Sequence, residues 1–330
     1  MYKFFYLSNL TLVYLFNTSF VTFLVLIFYI SGFDNTSIEI SVIQSYVAFI
    51  TLALSSHSRS IIISDSNMYK ILNDMSFRLK FSILILFSVF VLFYNFVDKS
   101  NLYIIFYISL LMASQWIFEL IIAKAEIIKD KKFIYKNAFY VLIFLLSIIL
   151  SFFLKFFFIY KYILFAVLIY ILSFVIRNSV LVLFIKNQIK DKLYNSIKEL
   201  SVISSSSLFF VNFLWKILII FWFGKMFAAA IFVVFSLSSF ISTAYNNSFG
   251  FTFLKNQQRF LILFIFYLLF ILLLILNIEI FEPYIPKNIF FLDEPINYFN
   301  QTIIYSFLGS CFMLLGQYFR SLLLFEKIKM

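Results

Sequence analysis

Lys186 to Glu199 reads KNQIKDKLYNSIKE, a basic polar stretch set between long apolar runs. No longer polar interval separates two apolar spans until near the C-terminus. Six apolar runs precede it and about four follow. This predicts two groups of helices joined by a cytoplasmic bridge. Residues 1–185 form an N-terminal lobe of six transmembrane helices, 186–199 the linker, and 200–330 a C-terminal lobe of about four. The expected fold class is all-α: a polytopic integral membrane bundle of about ten transmembrane helices.

Composition points to the same class. The chain of 330 residues is 64% hydrophobic and only 12% charged, where soluble domains carry about 25% charged residues. A water-soluble globule of this size could not hide so much apolar surface. Lipid is therefore the expected solvent. The net charge of +11 does not indicate nucleic acid, because lysine and arginine gather in the cytoplasmic loops of membrane proteins. All three prolines, Pro283, Pro286 and Pro295, fall in one loop, so no apolar run contains a proline kink.

A spanning helix needs about 20 mostly apolar residues. The runs are Leu10–Ser31, Ile38–Ser58, Leu79–Val97, Leu102–Ala123, Phe133–Phe153, Phe156–Ile185, Val202–Phe223, Met226–Phe253, Phe260–Ile280 and Thr302–Phe325. They are continuous, without the period-two alternation of barrel strands. With the N-terminus placed in the cytoplasm, twenty lysines and arginines fall inside and five outside, with Lys216 within a span. That bias repeats loop after loop and predicts a multi-pass protein of the plasma or inner membrane with both termini cytoplasmic. The segment Ser64–Arg78 reads as a polar helix lying along the cytoplasmic interface.

Catalytic patterns are scarce. The single histidine, His57, has no cysteine or acid at metal-ligand spacing. The five glycines are scattered, so no phosphate loop is present. Cys311, the one cysteine, lies in an apolar run and reads as a small packing residue. No catalytic residue, metal ligand or cofactor is assigned, and the chain is not read as an enzyme.

Charge inside the spans is the remaining signal, since it is costly in lipid and often functional. Lys216 lies roughly 22 Å into its span, at 1.5 Å per residue. One reading has its stem snorkel outward. The other places it with Arg177, Arg320 and Arg59 around a water-filled cavity, extended by polar residues including Gln44, Asn178 and Asn246. Such a cationic cavity suits an anionic substrate, with phosphate or pyrophosphate held bidentately by arginine. Glu119, also within a span, has a simpler reading outside the cavity scheme, as an ion-pair partner of Arg177, Arg59 or Lys124 close to the inner surface.

The second half, KELSVISSSSLFFVNFLWKILIIFWFG (Lys198–Gly224) followed by KMFAAAIFVVFSLSSFISTAYNNSFGFTFLKNQ (Lys225–Gln257), resembles the start of the second lobe in polysaccharide flippases. These belong to the multidrug/oligosaccharidyl-lipid/polysaccharide exporter superfamily, which also holds the MATE transporters. Gly224 and Ala228–Ala230 match the family's glycine and small residues between the seventh and eighth helices. ISVIQSYVAFITLALSSHSRSIII (Ile40–Ile63) resembles the family's second helix, with Arg59 in the basic segment that follows. The second lobe is short for the family.

The resemblance implies a MATE-like two-lobe fold and export of a lipid-linked oligosaccharide, for surface polysaccharide such as O-antigen. The cargo is a glycan on polyprenyl pyrophosphate, moved from the inner to the outer leaflet by alternating access. Its partners would be that glycan, membrane lipid and other membrane proteins of polysaccharide assembly. Glu119 is then the only obvious carboxylate carrier for a coupling ion. Two other readings stand beside it: a membrane polysaccharide polymerase or ligase, and a non-catalytic subunit of a polysaccharide-assembly complex.

Overall fold

The computed structural model of the chain describes residues 2–54, 68–96, 102–153, 157–183 and 200–253, together with Leu308, Gly309, Cys311 and Phe312. Among the described residues every regular element is a helix. In chain order these are α1 (Tyr2–Ile30), α2 (Asp34–Leu54), α3 (Met68–Phe93), α4 (Leu102–Ile128), α5 (Lys131–Phe153) and α6 (Phe157–Leu183). The run Leu200–Phe253 is broken at Gly224 into α7 (200–223) and α8 (225–253). Each of the first eight expected spans overlaps one of these helices. The last two, Phe260–Ile280 and Thr302–Phe325, lie outside the described residues apart from the four near Gly309. The full ten-helix, two-lobe arrangement is thus not seen.

Helices α1, α3, α4, α5 and α6 each contain a stretch long and apolar enough to cross a bilayer. Their burial patterns show what surrounds them. Helix α5 exposes Phe139, Leu142, Ile143, Leu146, Ile149 and Leu150, a stripe at helical spacing, and buries Ile134, Asn137, Ala138, Val141 and Ile148 on the other side. Helix α3 turns Ile83, Leu84, Phe87, Phe90 and Val91 outward in the same way. A helix in water shows its polar face to the solvent. Here the outward faces are apolar, which fits a protein embedded in a membrane.

Helix α4 is different. It buries Ala113 to Phe118 and Leu120 to Ala123 without a break of periodicity, so neighbours enclose it on all sides. The apolar span Leu102–Ile128 is 72% buried, against 28% in those of α5 and α6. Helices α3 and α6 lie along it, and α5 packs against α6. Aromatic rings join this group: Tyr170 and Phe174 of α6 meet Phe118 of α4 and Phe133, Tyr140 and Phe144 of α5. Tyr107 of α4 donates to the Leu164 carbonyl of α6 at 3.0 Å.

The helix ends follow ordinary capping chemistry. Gly32, at φ 80, closes α1: its N–H reaches the Tyr29 carbonyl, and the Phe33 N–H reaches that of Phe28. The Phe28 and Phe33 rings touch, centroids 6.1 Å apart, which completes a Schellman motif with its apolar contact. Helix α4 ends in the same two bonds, Lys129 N–H to Glu126 and Asp130 N–H to Ala125, but with Lys129 in the left-handed position at φ 58. Asp130 then caps α5, its Oδ1 accepting the Phe133 N–H at 3.0 Å.

The described chain divides into two compact units. One is Met1–Val21 with Ile38–Gly224; the other is Thr22–Ser37 with Lys225–Met330. The boundary expected at 186–199 lies outside the described residues, and α7 groups with the first part of α1, most of α2 and α3 to α6 rather than with α8. The reason is local: α7 packs antiparallel on α2, with Tyr46 against Phe213 and Phe49 against Phe210 at 5.3 and 5.1 Å. In the second unit, the small residues Ala228, Ala229, Ser236 and Ser238 of α8 are buried. A Cβ on Gly309 would lie 2.6 Å from the Ser238 Oγ, so glycine permits a close helix approach there.

Gly224 has φ 77 and ψ 169, a region essentially restricted to glycine. Nothing lies within 4 Å of a Cβ placed there, so the constraint comes from the backbone alone. Gly224→Ala is expected to lower thermal stability in detergent by about 1–3 kcal/mol. Asn, which rescues ordinary left-handed helical sites, should not rescue this one; equal melting of Gly224→Asn and the native chain would refute the assignment.

Candidate functional site

A group of hydrogen-bonded polar residues lies where α1 and α3 meet α4. Arg78 is 2% exposed. Sequence reasoning places it at the end of a polar interfacial segment, but α3 is one continuous helix from Met68, which carries Arg78 into the bundle. Its Nη1 donates to the Trp116 carbonyl and, at 3.0 Å, to Glu119 Oε2. The guanidinium also lies over the Trp116 indole, 5.1 Å from the ring centroid. Glu119 retains 28% exposure, so the pair is buried on the arginine side and open on the carboxylate side.

Asn17 of α1 approaches the adjacent turn. Its Nδ2 donates to the Gln115 carbonyl at 3.1 Å. Consecutive carbonyls of α4, at 115 and 116, therefore each take a second donor from a different helix. Tyr14, one turn earlier on α1, donates to Glu126 Oε2 at 3.1 Å. Asp74 is buried one turn before Arg78, and the spacing of four puts both on the same face of α3.

Among the buried polar atoms of this seam, Arg78 Nε, Gln115 Nε2 and Asn17 Oδ1 have no hydrogen-bond partner among the described residues. They comprise two donors and one acceptor. Buried polar atoms are ordinarily satisfied, so each marks a place where a water or a polar ligand group can bond. The arrangement holds a fixed cation, neutralises it with one reachable carboxylate and leaves hydrogen-bonding capacity over.

The residues expected to share a cavity are placed as follows. Lys216 is 3% exposed and does not snorkel. Its Nζ donates to the Ser41 carbonyl at 3.0 Å and to Ser41 Oγ at 2.8 Å. The outward stripe of α7 is Phe210, Val211, Leu214, Ile217, Leu218 and Phe221, which turns Lys216 onto α2. Gln44 is half-buried, three residues beyond Ser41 on α2. Arg177 is exposed on α6 and has no place in the buried Lys216 contact. The Asn178 amide turns back to the Phe174 carbonyl of its own helix at 2.9 Å. Arg59 and Arg320 lie outside the described residues, and of Asn246 only the helical backbone is described. Glu119 pairs with Arg78, not with Arg177, Arg59 or Lys124. Two buried acids were missed in sequence reasoning, Asp74 and Glu39; Glu39 lies within the second expected span, so Glu119 is not the only acid there. The four-residue spacing of Asp74 and Arg78 was the available signal.

Among the described residues no three His, Cys, Asp or Glu side chains gather to hold a metal ion. Compared with protein-family models, curated proteins and solved structures, the chain matches none.

Two stability tests follow from the contacts. Arg78→Ala removes the positive partner of a mostly buried pair and is expected to cost about 3 kcal/mol, the low end for a broken pair because Glu119 is partly exposed. Arg78→Ala with Glu119→Ala should cost less than the single change. Strict additivity in that thermal double-mutant cycle would show that the two side chains do not interact. At the second contact, Lys216→Met keeps volume and removes the ammonium, so its expected effect is within about 1 kcal/mol. Ser41→Ala leaves the ammonium short of an acceptor and should cost about 1–3 kcal/mol. The reverse order of these two melting temperatures would contradict the inward placement of Lys216.

Proposed function

We propose that this chain is an inner-membrane exporter that carries a lipid-linked oligosaccharide, on polyprenyl pyrophosphate, from the inner to the outer leaflet, with both termini cytoplasmic. The resemblance of Lys198–Gly224, Lys225–Gln257 and Ile40–Ile63 to polysaccharide flippases supports this reading. The single observation that carries it is the Arg78 guanidinium, buried among helices of membrane-spanning length with Nε unpartnered among the described residues. An ionisable group enclosed between membrane-spanning helices is expensive and often marks a substrate or ion path.

In this proposal the cationic position belongs to Arg78 rather than to Lys216 and Arg177. Glu119 neutralises the guanidinium when no cargo is bound. An incoming pyrophosphate competes for the same fork, because phosphate oxygens match its geometry as a carboxylate does. Gln115 and Asn17 supply further donors and an acceptor for the sugar or its water. The polyprenyl tail stays in lipid. The chain supplies binding and passage and makes or breaks no covalent bond.

The test is delivery of glycan to the outer surface. With membrane levels of protein matched, Arg78→Ala and Arg78→Lys should each lower externally exposed glycan at least about tenfold, the loss expected when a charged hydrogen-bonding group of about 1.5–3 kcal/mol is removed. Undiminished surface glycan in both variants would overturn the export reading.

A further inference from the structure

The α4–α5 hairpin carries a second cluster of charge that the export site does not use. Lys129, Lys131, Lys132 and Lys136 are all exposed. The two acids of the same stretch are held in structural bonds. Glu126 accepts the Tyr14 hydroxyl, and Asp130, though exposed, caps the first turn of α5 through Oδ1. Both helices are long and apolar enough to cross a bilayer, so their shared end sits at a membrane surface. The lysines lie within about two turns of that end, at headgroup depth. Beside them Ile128 is exposed and apolar, and the Lys136 ammonium lies 5.8 Å from the centre of the Tyr140 ring. A cationic collar with an apolar neighbour, emerging directly from two spans, matches the surface of a bilayer rather than a soluble polyanion.

Lys129 adds an independent observation. It occupies the left-handed position of a Schellman turn at φ 58, where glycine is the easier residue. A lysine is held there against backbone preference, and strained positions of this kind concentrate at functional sites.

We propose that this hairpin binds anionic phospholipid headgroups of the leaflet it meets. Lys129, Lys131 and Lys132 form the contact, and Lys136, one turn from Lys132, extends it along α5. The site is independent of the export reading, since it uses none of Arg78, Glu119, Gln115 or Asn17.

The experiment uses the full chain, purified in detergent and stripped of lipid, then titrated with phosphatidylglycerol or phosphatidylcholine while bound lipid is counted by native mass spectrometry. Native protein should retain phosphatidylglycerol preferentially and lose the preference in high salt. Lys129→Gln with Lys131→Gln and Lys132→Gln should weaken that binding by about fivefold per lysine, on the order of a hundredfold together. The same three positions changed to Arg should keep it, and Lys161→Gln, on α6, should leave it unchanged. Lys129→Gly should raise the thermal midpoint yet weaken phosphatidylglycerol binding, a pairing that a purely structural lysine would not give. Equal lipid retention in the triple Gln variant would overturn the proposal. So would displacement of phosphatidylglycerol by equimolar inorganic phosphate, which would mark a site for free anions instead.

Discussion

A guanidinium buried among lipid-embedded helices has to be met by protein groups, because hydrocarbon offers it none. Arg78 meets this condition through α4: the Trp116 carbonyl, the Glu119 carboxylate and the Trp116 ring lie on one side of that helix. Asn17 of α1 binds the neighbouring carbonyl at 115. These contacts hold α1 and α3 to α4 at defined register. Apolar packing in lipid gives little such specificity, since lipid tails are as apolar as Leu and Ile side chains. The polar seam therefore sets which helices surround α4, and the aromatic contacts of α6 close its remaining side.

Once α4 is enclosed, the other helices are left with one face inward. Helices α3 and α5 turn large apolar side chains outward, and α7 does the same while holding Lys216 against Ser41. The two charged contacts solve one problem in different ways. Arg78 has a carboxylate partner and keeps a donor to spare. Lys216 is held by the carbonyl and hydroxyl of one serine, a contact that fixes the α2–α7 register. The Arg78 Nε remains available to a ligand, and the Lys216 contact ties two helices together.

Much of the helical pattern was legible in the apolar runs, because a spanning helix must be long and continuously apolar. Leu102–Ala123 and Phe133–Phe153, read from composition, overlap α4 and α5 closely. The start of α3 was not legible: Ser64–Arg78 is polar, and hydropathy assigns polar residues to the interface. The structure shows that Asp74 and Arg78 belong to the same helix as Leu79 and face α4. Glu39 was hidden for the opposite reason, as one acid within an otherwise apolar run.

The sequence by itself determined that the solvent is lipid and that the elements are helices, since both follow from local composition and from the need to satisfy backbone groups within each segment. It also showed which residues carry charge. Only the tertiary structure decided which charges meet. Lys216 and Arg177 look alike within their apolar runs and Arg78 ends a polar stretch, yet Lys216 is clasped by a serine, Arg177 faces outward and Arg78 is paired with Glu119 inside the bundle. That outcome depends on the angular position of each residue on its helix and on which helix lies opposite, and neither is encoded in a hydropathy run.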